Sequence, residues 1–158
     1  MNLPAAFAEL AARFGERFST NATLREQHGH GESNAVFFPP DGVIWPETTA
    51  EVAEIVRLCV AHRVPMVPFG AGTSLEGHIA AVRGGVCIDL SRMNQLLECS
   101  PEDLDCTVQP GLTREGLNHA LRETGLFFPV DPGAKRDVQR VGELAAQKII
   151  AERDAHGP

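Results

Sequence analysis

The sequence predicts an α/β fold that passes into α+β toward its C-terminal half, and three observations carry that prediction. A capped amphipathic helix, "TTAEVAEIVRLCVAHR", lies between two short apolar runs, "GVIWP" and residues 64–69. An apolar run without alternation, "GGVCIDL", follows, as in a strand buried on both faces. Next comes "LLECSPEDLDCTVQPG", two strand-like runs around a polar turn. At 158 residues the chain fits one compact domain with a real core.

Each element follows from local chemistry. Phe7, Leu10, Ala11, Phe14 and Phe18 recur at spacings of three and four, one face of a helix that Ser19-Thr20-Asn21 ends. A polar stretch, "REQHGHGESNA", crosses to a proline turn and the short strand "GVIWP", which Pro46 stops. Thr48 with Glu51 three residues on forms a capping box, and Val52, Ile55, Val56, Cys59 and Val60 form the buried stripe behind it. Glu51, Glu54 and Arg57 face water. Val64 to Phe69 reads as a strand that Pro65 enters only near its beginning, which completes a βαβ unit with parallel strands. After "GGVCIDL", the runs flanking Pro101-Glu102-Asp103 pair antiparallel. "TREGLNHALRETG" is a helix capped by Thr113, buried through Leu117, Ala120 and Leu121, and stopped by Gly125. "LFFPVDPGA" is extended, and Val138, Val141, Leu144, Ala145 and Ile149 return to helical spacing.

Composition excludes several classes. A net charge of −7 without a Lys/Arg cluster argues against nucleic acid or an anionic membrane as partner. No apolar run approaches the ~20 residues of a membrane span. The first 18 residues carry Glu9 and Glu16 and lack the features of a secretory signal or transit peptide, so a cytoplasmic location is expected. Cys59, Cys87, Cys99 and Cys106 show no CxxC spacing and read as reduced structural thiols. His28-x-His30 lacks a third ligand nearby, so no metal is expected. His28, His30, His62, His119 and His156 read as solvated or helix-face histidines.

The richest stretch is "VPFGAGTSLEGH", residues 67–78. A dinucleotide-binding turn needs G-x-G-x-x-G opening into a helix; Gly70 and Gly72 have the first spacing, but Leu75 takes the third position and no amphipathic helix follows. A P-loop needs a lysine and a hydroxyl after its last glycine, where His78 and Ile79 stand. Two alternatives stay open. Gly70-Ala71-Gly72-Thr73-Ser74 is either a nest whose backbone N–H groups hold an anion, or a plain strand-to-strand connection.

The same loop resembles the pyrophosphate-gripping loop of the FAD-linked oxidases built on the vanillyl-alcohol-oxidase (PCMH-type) flavin domain. The branch it is most similar to contains glycolate oxidase and D-lactate dehydrogenases. "REQHGHGES", "PDGVIWPETTAEVAEIVRLCVAHR", "GGVCIDLSRMN", "DLDCTVQPGLTREGLNHAL" and "GLFFPVDPGA" resemble that branch in the same order, over residues 24–134. The resemblance implies a small βαβ lobe followed by the start of a mixed or antiparallel second lobe. It implies that Phe69 and residues 70–74 (Gly70, Ala71, Gly72, Thr73, Ser74) cradle the FAD pyrophosphate. Gly77 and His78 then close the loop beside the phosphate and ribitol arm, while Pro110, Gly111, Asp131, Pro132 and Gly133 line the channel toward the rest of the cofactor. His78 is offset from the position where some relatives attach flavin, so FAD is expected to be non-covalent.

The resemblance further implies an FAD-dependent dehydrogenase or oxidase acting on a small D-2-hydroxy acid, of glycolate or D-lactate type. It divides the chain into an N-terminal helix (1–23), a partial FAD-binding domain (24–134) and a divergent, helix-patterned tail (135–158). After Ala134 the family continues with a second glycine-rich FAD segment, where this chain reads "KRDVQRVGELAAQKIIAERDAHGP". A truncated chain, not catalytic alone, is therefore expected, and no catalytic residue is assigned. The rival expectations are a flavin-binding subunit that needs a partner chain, and a remnant whose loop binds nothing.

Overall fold

A computed structural model describes residues 1–31, 37–73 and 77–130. The predicted helical spacing at 138–149, Ser74, Asp131, Pro132, Gly133 and His156 lie outside the described residues. Helix α1 (Leu3–Phe14) leads through a single 3-10 turn into strand β1 (Phe18–Ser19) and helix α2 (Ala22–Gln27). Strand β2 (Gly42–Ile44), helix α3 (Thr49–Ala61), strand β3 (Met66–Phe69) and strand β4 (Val86–Asp89) form the central unit. A hairpin of β5 (Leu96–Ser100) and β6 (Asp105–Val108) and helix α4 (Arg114–Ala120) follow.

The first sheet has the order β1-β2-β4-β3. β2 and β3 both run parallel to β4, which lies between them, so the crossover through α3 skips one strand position. This is the predicted βαβ unit with a third parallel strand inserted at its centre. β4 is buried along its whole length, as its unalternating apolar pattern requires. Among the described strands β3 lies at the edge, which explains how Pro68 is tolerated there: its missing N–H points away from β4. β1 pairs antiparallel with β2 at the other edge. β5 and β6 form a separate antiparallel sheet with Cys99 opposite Cys106 and a register shift between Leu96 and Glu98.

The core lies between α1, α3 and the parallel strands. Leu10, Ile44, Ile55 and Val86 are fully buried, each stabilising the fold by roughly 1.5–3 kcal/mol relative to exposure. α1 buries Ala6, Leu10 and Phe14, spaced by four, but ends at Phe14 rather than at Ser19. Gly15 breaks the helix, so Phe18 reaches the same core from a strand, edge-on to Phe7 at 5.1 Å. Ala11 is exposed. In α3 the buried residues are Ile55, Leu58 and Cys59, whereas Val56 and Val60 are exposed. The stripe expected from the sequence is therefore rotated toward Val56 and Val60: β-branched residues on one side draw the assignment away from Leu58, which α1 covers. In α4 Leu117 is buried, as is Leu121 just after it, while Ala120 is exposed.

Capping agrees with the sequence. Thr48 Oγ accepts from the Glu51 amide at 3.2 Å and Thr113 Oγ from the Gly116 amide at 3.1 Å. The Glu51 carboxylate reaches the Glu47 amide at 2.7 Å and also takes both arms of Arg17, at 2.7 Å each. This bidentate pair ties the chain before β1 to the start of α3 and holds the Glu51 carboxyl at about 2. Glu51, expected to face water, is thus half-buried under Arg17. Cys59 and Cys87 are buried free thiols, and Cys99 and Cys106 are half-buried ones. Among the described residues no helix is long and apolar enough to cross a membrane.

Candidate functional site

All three parallel strands end on the same side, and the glycine loop leaves from there. β3 closes on Phe69, whose Cα partner on β4 is Asp89, and β2 is followed by Trp45. Ligands of open α/β sheets bind outside these carboxyl ends, because that is where connections diverge and leave a crevice.

Gly70, Ala71, Gly72 and Thr73 follow β3 directly. Among the described residues no protein acceptor takes their amides. Gly72 has φ +71°, the left-handed conformation that alternates with right-handed residues in an anion nest. A Cβ at Gly72 would stand 2.7 Å from Cζ of Phe69, so the Phe69 ring forms a floor against which the loop's main chain lies without a side chain between. Beyond the loop Gly77 also has positive φ, at +73°. His78 lines, together with Arg63 and Arg83, a cleft of about 480 Å³ along the outer edge of β3. Two guanidinium groups and an imidazole around one cleft favour an anion. Nothing in the sequence connects the two arginines with the loop, because they come from the ends of different connections.

Pro110 and Gly111 come to the same end of the sheet by a different route. The turn leaving β4 receives the Gly111 amide at Met93 O, 2.8 Å. A Cβ at Gly111 would land on the Leu90 carbonyl oxygen and come within 2.9 Å of that of Met93. Glycine is required there by main chain packed on main chain, and this junction fixes the hairpin and α4 to the sheet.

Behind the loop lies a polar cluster that sequence reasoning missed. His28, expected to be solvated or on a helix face, is buried. α2 ends one residue before it, and the ring turns inward so that Nδ1 meets Leu24 O and Nε2 meets Asp89 Oδ2, both at 2.8 Å. Trp45 Nε1 donates to the same Asp89 oxygen at 2.8 Å, and the Ser91 amide donates to Oδ1 at 2.8 Å. The His28 ring packs on Phe69 with centroids 4.6 Å apart and edge-on to Trp45 at 5.9 Å. The signal in the sequence is a single acid, Asp89, ending an otherwise apolar strand; its partner is 61 residues away and no periodicity links them. Of the other histidines read as solvated or helix-face, His30 stacks on Phe37 and is exposed, as is His119, while His62 is half-buried and meets Glu9 at 2.8 Å.

These features define a class: an α/β domain with a glycine-built loop, suited to an anion, at the carboxyl ends of parallel strands. Comparison with known proteins makes it specific, for the FAD binding domain family matches residues 40–157, and the chain belongs to that family. It is 49% identical over 138 residues to a probable mitochondrial D-lactate dehydrogenase of Danio rerio, covering 87% of this chain and 28% of that protein. It is 42% identical over 97 residues to glycolate oxidase subunit GlcD of Bacillus subtilis, covering 61% of this chain and 21% of that one. Among solved structures, an alkyldihydroxyacetonephosphate synthase superposes with a TM-score of 0.74 at 28% identity, over 82% of this chain and 28% of the other. The chain thus spans under a third of the length of the curated relatives it matches.

Proposed function

We propose that this chain grips FAD for a flavin-dependent oxidoreductase of small D-2-hydroxy acids, of the glycolate or D-lactate type. Gly70, Ala71, Gly72, Thr73 and Ser74 hold the diphosphate through main-chain amides, with Phe69 beneath them. Gly77 and His78 close the loop on the phosphate and ribitol side, and Pro110, Gly111, Asp131, Pro132 and Gly133 line the path of the rest of the cofactor. The observation that carries this reading is the Gly72 main chain, left-handed and seated directly on the Phe69 ring, at the carboxyl end of a parallel sheet. Only a backbone stripped of side chains lets a diphosphate approach amides this closely.

Bound flavin supplies the hydride acceptor for oxidation of the α-carbon. The residues of this chain bind and orient it, and no proton-transferring group toward the hydroxy acid is assigned among them. The attachment is proposed to be non-covalent, because His78 is offset from the position where some members of the resembling family attach flavin. A second reading, a flavin-binding subunit that works with a partner chain, is favoured by the 42% identity to a protein named as a glycolate oxidase subunit.

The test is retention of FAD. Chain mixed with FAD and desalted is expected to keep flavin absorbance near ~450 nm, and Gly72→Val is expected to abolish it, since both φ and the Phe69 ring oppose a side chain. A colourless wild-type chain supports an empty remnant, and equal retention by Gly72→Val moves the cofactor away from this loop. Turnover of D-lactate or glycolate with a dye acceptor then separates a self-sufficient enzyme from a subunit.

A further inference from the structure

His28 and Asp89 have no role in the cradle itself, yet their partners fix the charge each carries. Nδ1 of His28 faces the Leu24 carbonyl and Nε2 faces the Asp89 carboxylate, and both of these accept. Each ring nitrogen thus faces an acceptor, an arrangement that favours the imidazolium beside the carboxylate. Asp89 also accepts from Trp45 and from the Ser91 amide, which favours the carboxylate. Burial opposes both charges, but the hydrogen bonds outweigh it: the His28 pKa stays raised above 6.5 and that of Asp89 lowered below 3.8. The His28 ring is at the same time the surface on which Phe69 packs, and Phe69 is the floor under Gly72.

We propose that the buried His28–Asp89 ion pair positions the glycine loop, by holding the Phe69 ring against which Gly72 is seated. The proposal rests on the reading that this loop grips the FAD diphosphate. When His28 loses its proton, one of its two acceptors faces a lone pair, the ring must turn or withdraw, and Phe69 loses its backing. Loop geometry then follows the protonation of a residue that never touches the cofactor.

On α2, Arg25 is engaged with Pro40 O at 2.7 Å and lies 3.9 Å from Asp41. On β4, the Cys87 thiol is pushed up to about 12 by burial and by Asp89, and stays neutral. After β4, the Arg92 guanidinium lies over the Trp45 ring at 5.9 Å and pairs with Glu47 at 3.3 Å. From β3 the neighbour is the uncharged Phe69 ring.

The test is a pH titration of the ¹⁵N-labelled chain by NMR, from about pH 5 to about pH 9. The amide signals of Ala71 and Gly72 are expected to move with the same midpoint as His28 Cε1–H, above 6.5. In His28→Gln that movement disappears. In Phe69→Leu, His28 still titrates but the Gly72 amide no longer follows; a general loss of stability would not uncouple the two. With FAD added, affinity is expected to fall about tenfold across the same midpoint, and His28→Gln to lose this pH dependence. Loop amides indifferent to the His28 titration in the wild-type chain, or a response surviving in both variants, would overturn the proposal. Loop amides that follow His28 but ignore added FAD would support the coupling and refute the cofactor reading instead.

Discussion

Glu51→Gln removes one charge from the junction between the chain entering β1 and the start of α3. In the wild type the carboxylate accepts Arg17 through two bonds of 2.7 Å and the Glu47 amide through a third. Its pKa is held at about 2, against an ordinary 4.5, first by the Arg17 hydrogen bonds. A displacement of that size corresponds to at most about 3–4 kcal/mol of stability. Both side chains are 24% exposed, so solvent reduces the figure to about 1–2 kcal/mol. A lowered carboxyl stabilises the fold fully above about 4.5 and progressively less as pH falls toward about 2. Urea unfolding of wild type and Glu51→Gln, compared at neutral pH and at steps down to about pH 2, isolates this one group from the other carboxylates. The stability gap is expected to be about 1–2 kcal/mol at neutral pH and to close across that window. A gap under about 0.5 kcal/mol at neutral pH, or one that does not shrink with acid, would refute the reasoning.

Two further predictions concern packing. Gly111→Ala should cost about 2–3 kcal/mol, because a Cβ there meets the main-chain oxygens of Leu90 and Met93 rather than a movable side chain; an unchanged urea midpoint would show that the hairpin is not docked on the β4 turn. Leu10→Ala should cost about 2–5 kcal/mol in the same assay, since the side chain is fully buried between α1 and the sheet. A cost near that of a surface substitution would detach α1 from the core.

Much of the fold was legible because local chemistry enforced it. The caps at Thr48 and Thr113, the buried strand "GGVCIDL" and the hairpin around Pro101 are each dictated within a dozen residues. The errors share one cause. The α1 boundary, the α3 stripe and the burial of His28 depend on which neighbour a residue meets. Phe18 continues the helical spacing of Phe14 yet lies in a strand, because Gly15 with φ +54° turns the chain. Val56 has the hydrophobicity of a core residue but no described element covers it.

The sequence alone determined which phosphate loops this one is not. A run of small residues after a strand, without the lysine or the following helix of those loops, leaves main-chain amides as the donors of the proposed cradle. Only tertiary structure decided what supports that loop. Phe69, Asp89 and Trp45 meet because three parallel strands end together, and His28 joins them from a helix end 61 residues before its partner. Charge pairing at that range is set by the packing of strands and helices, which no spacing along one chain encodes.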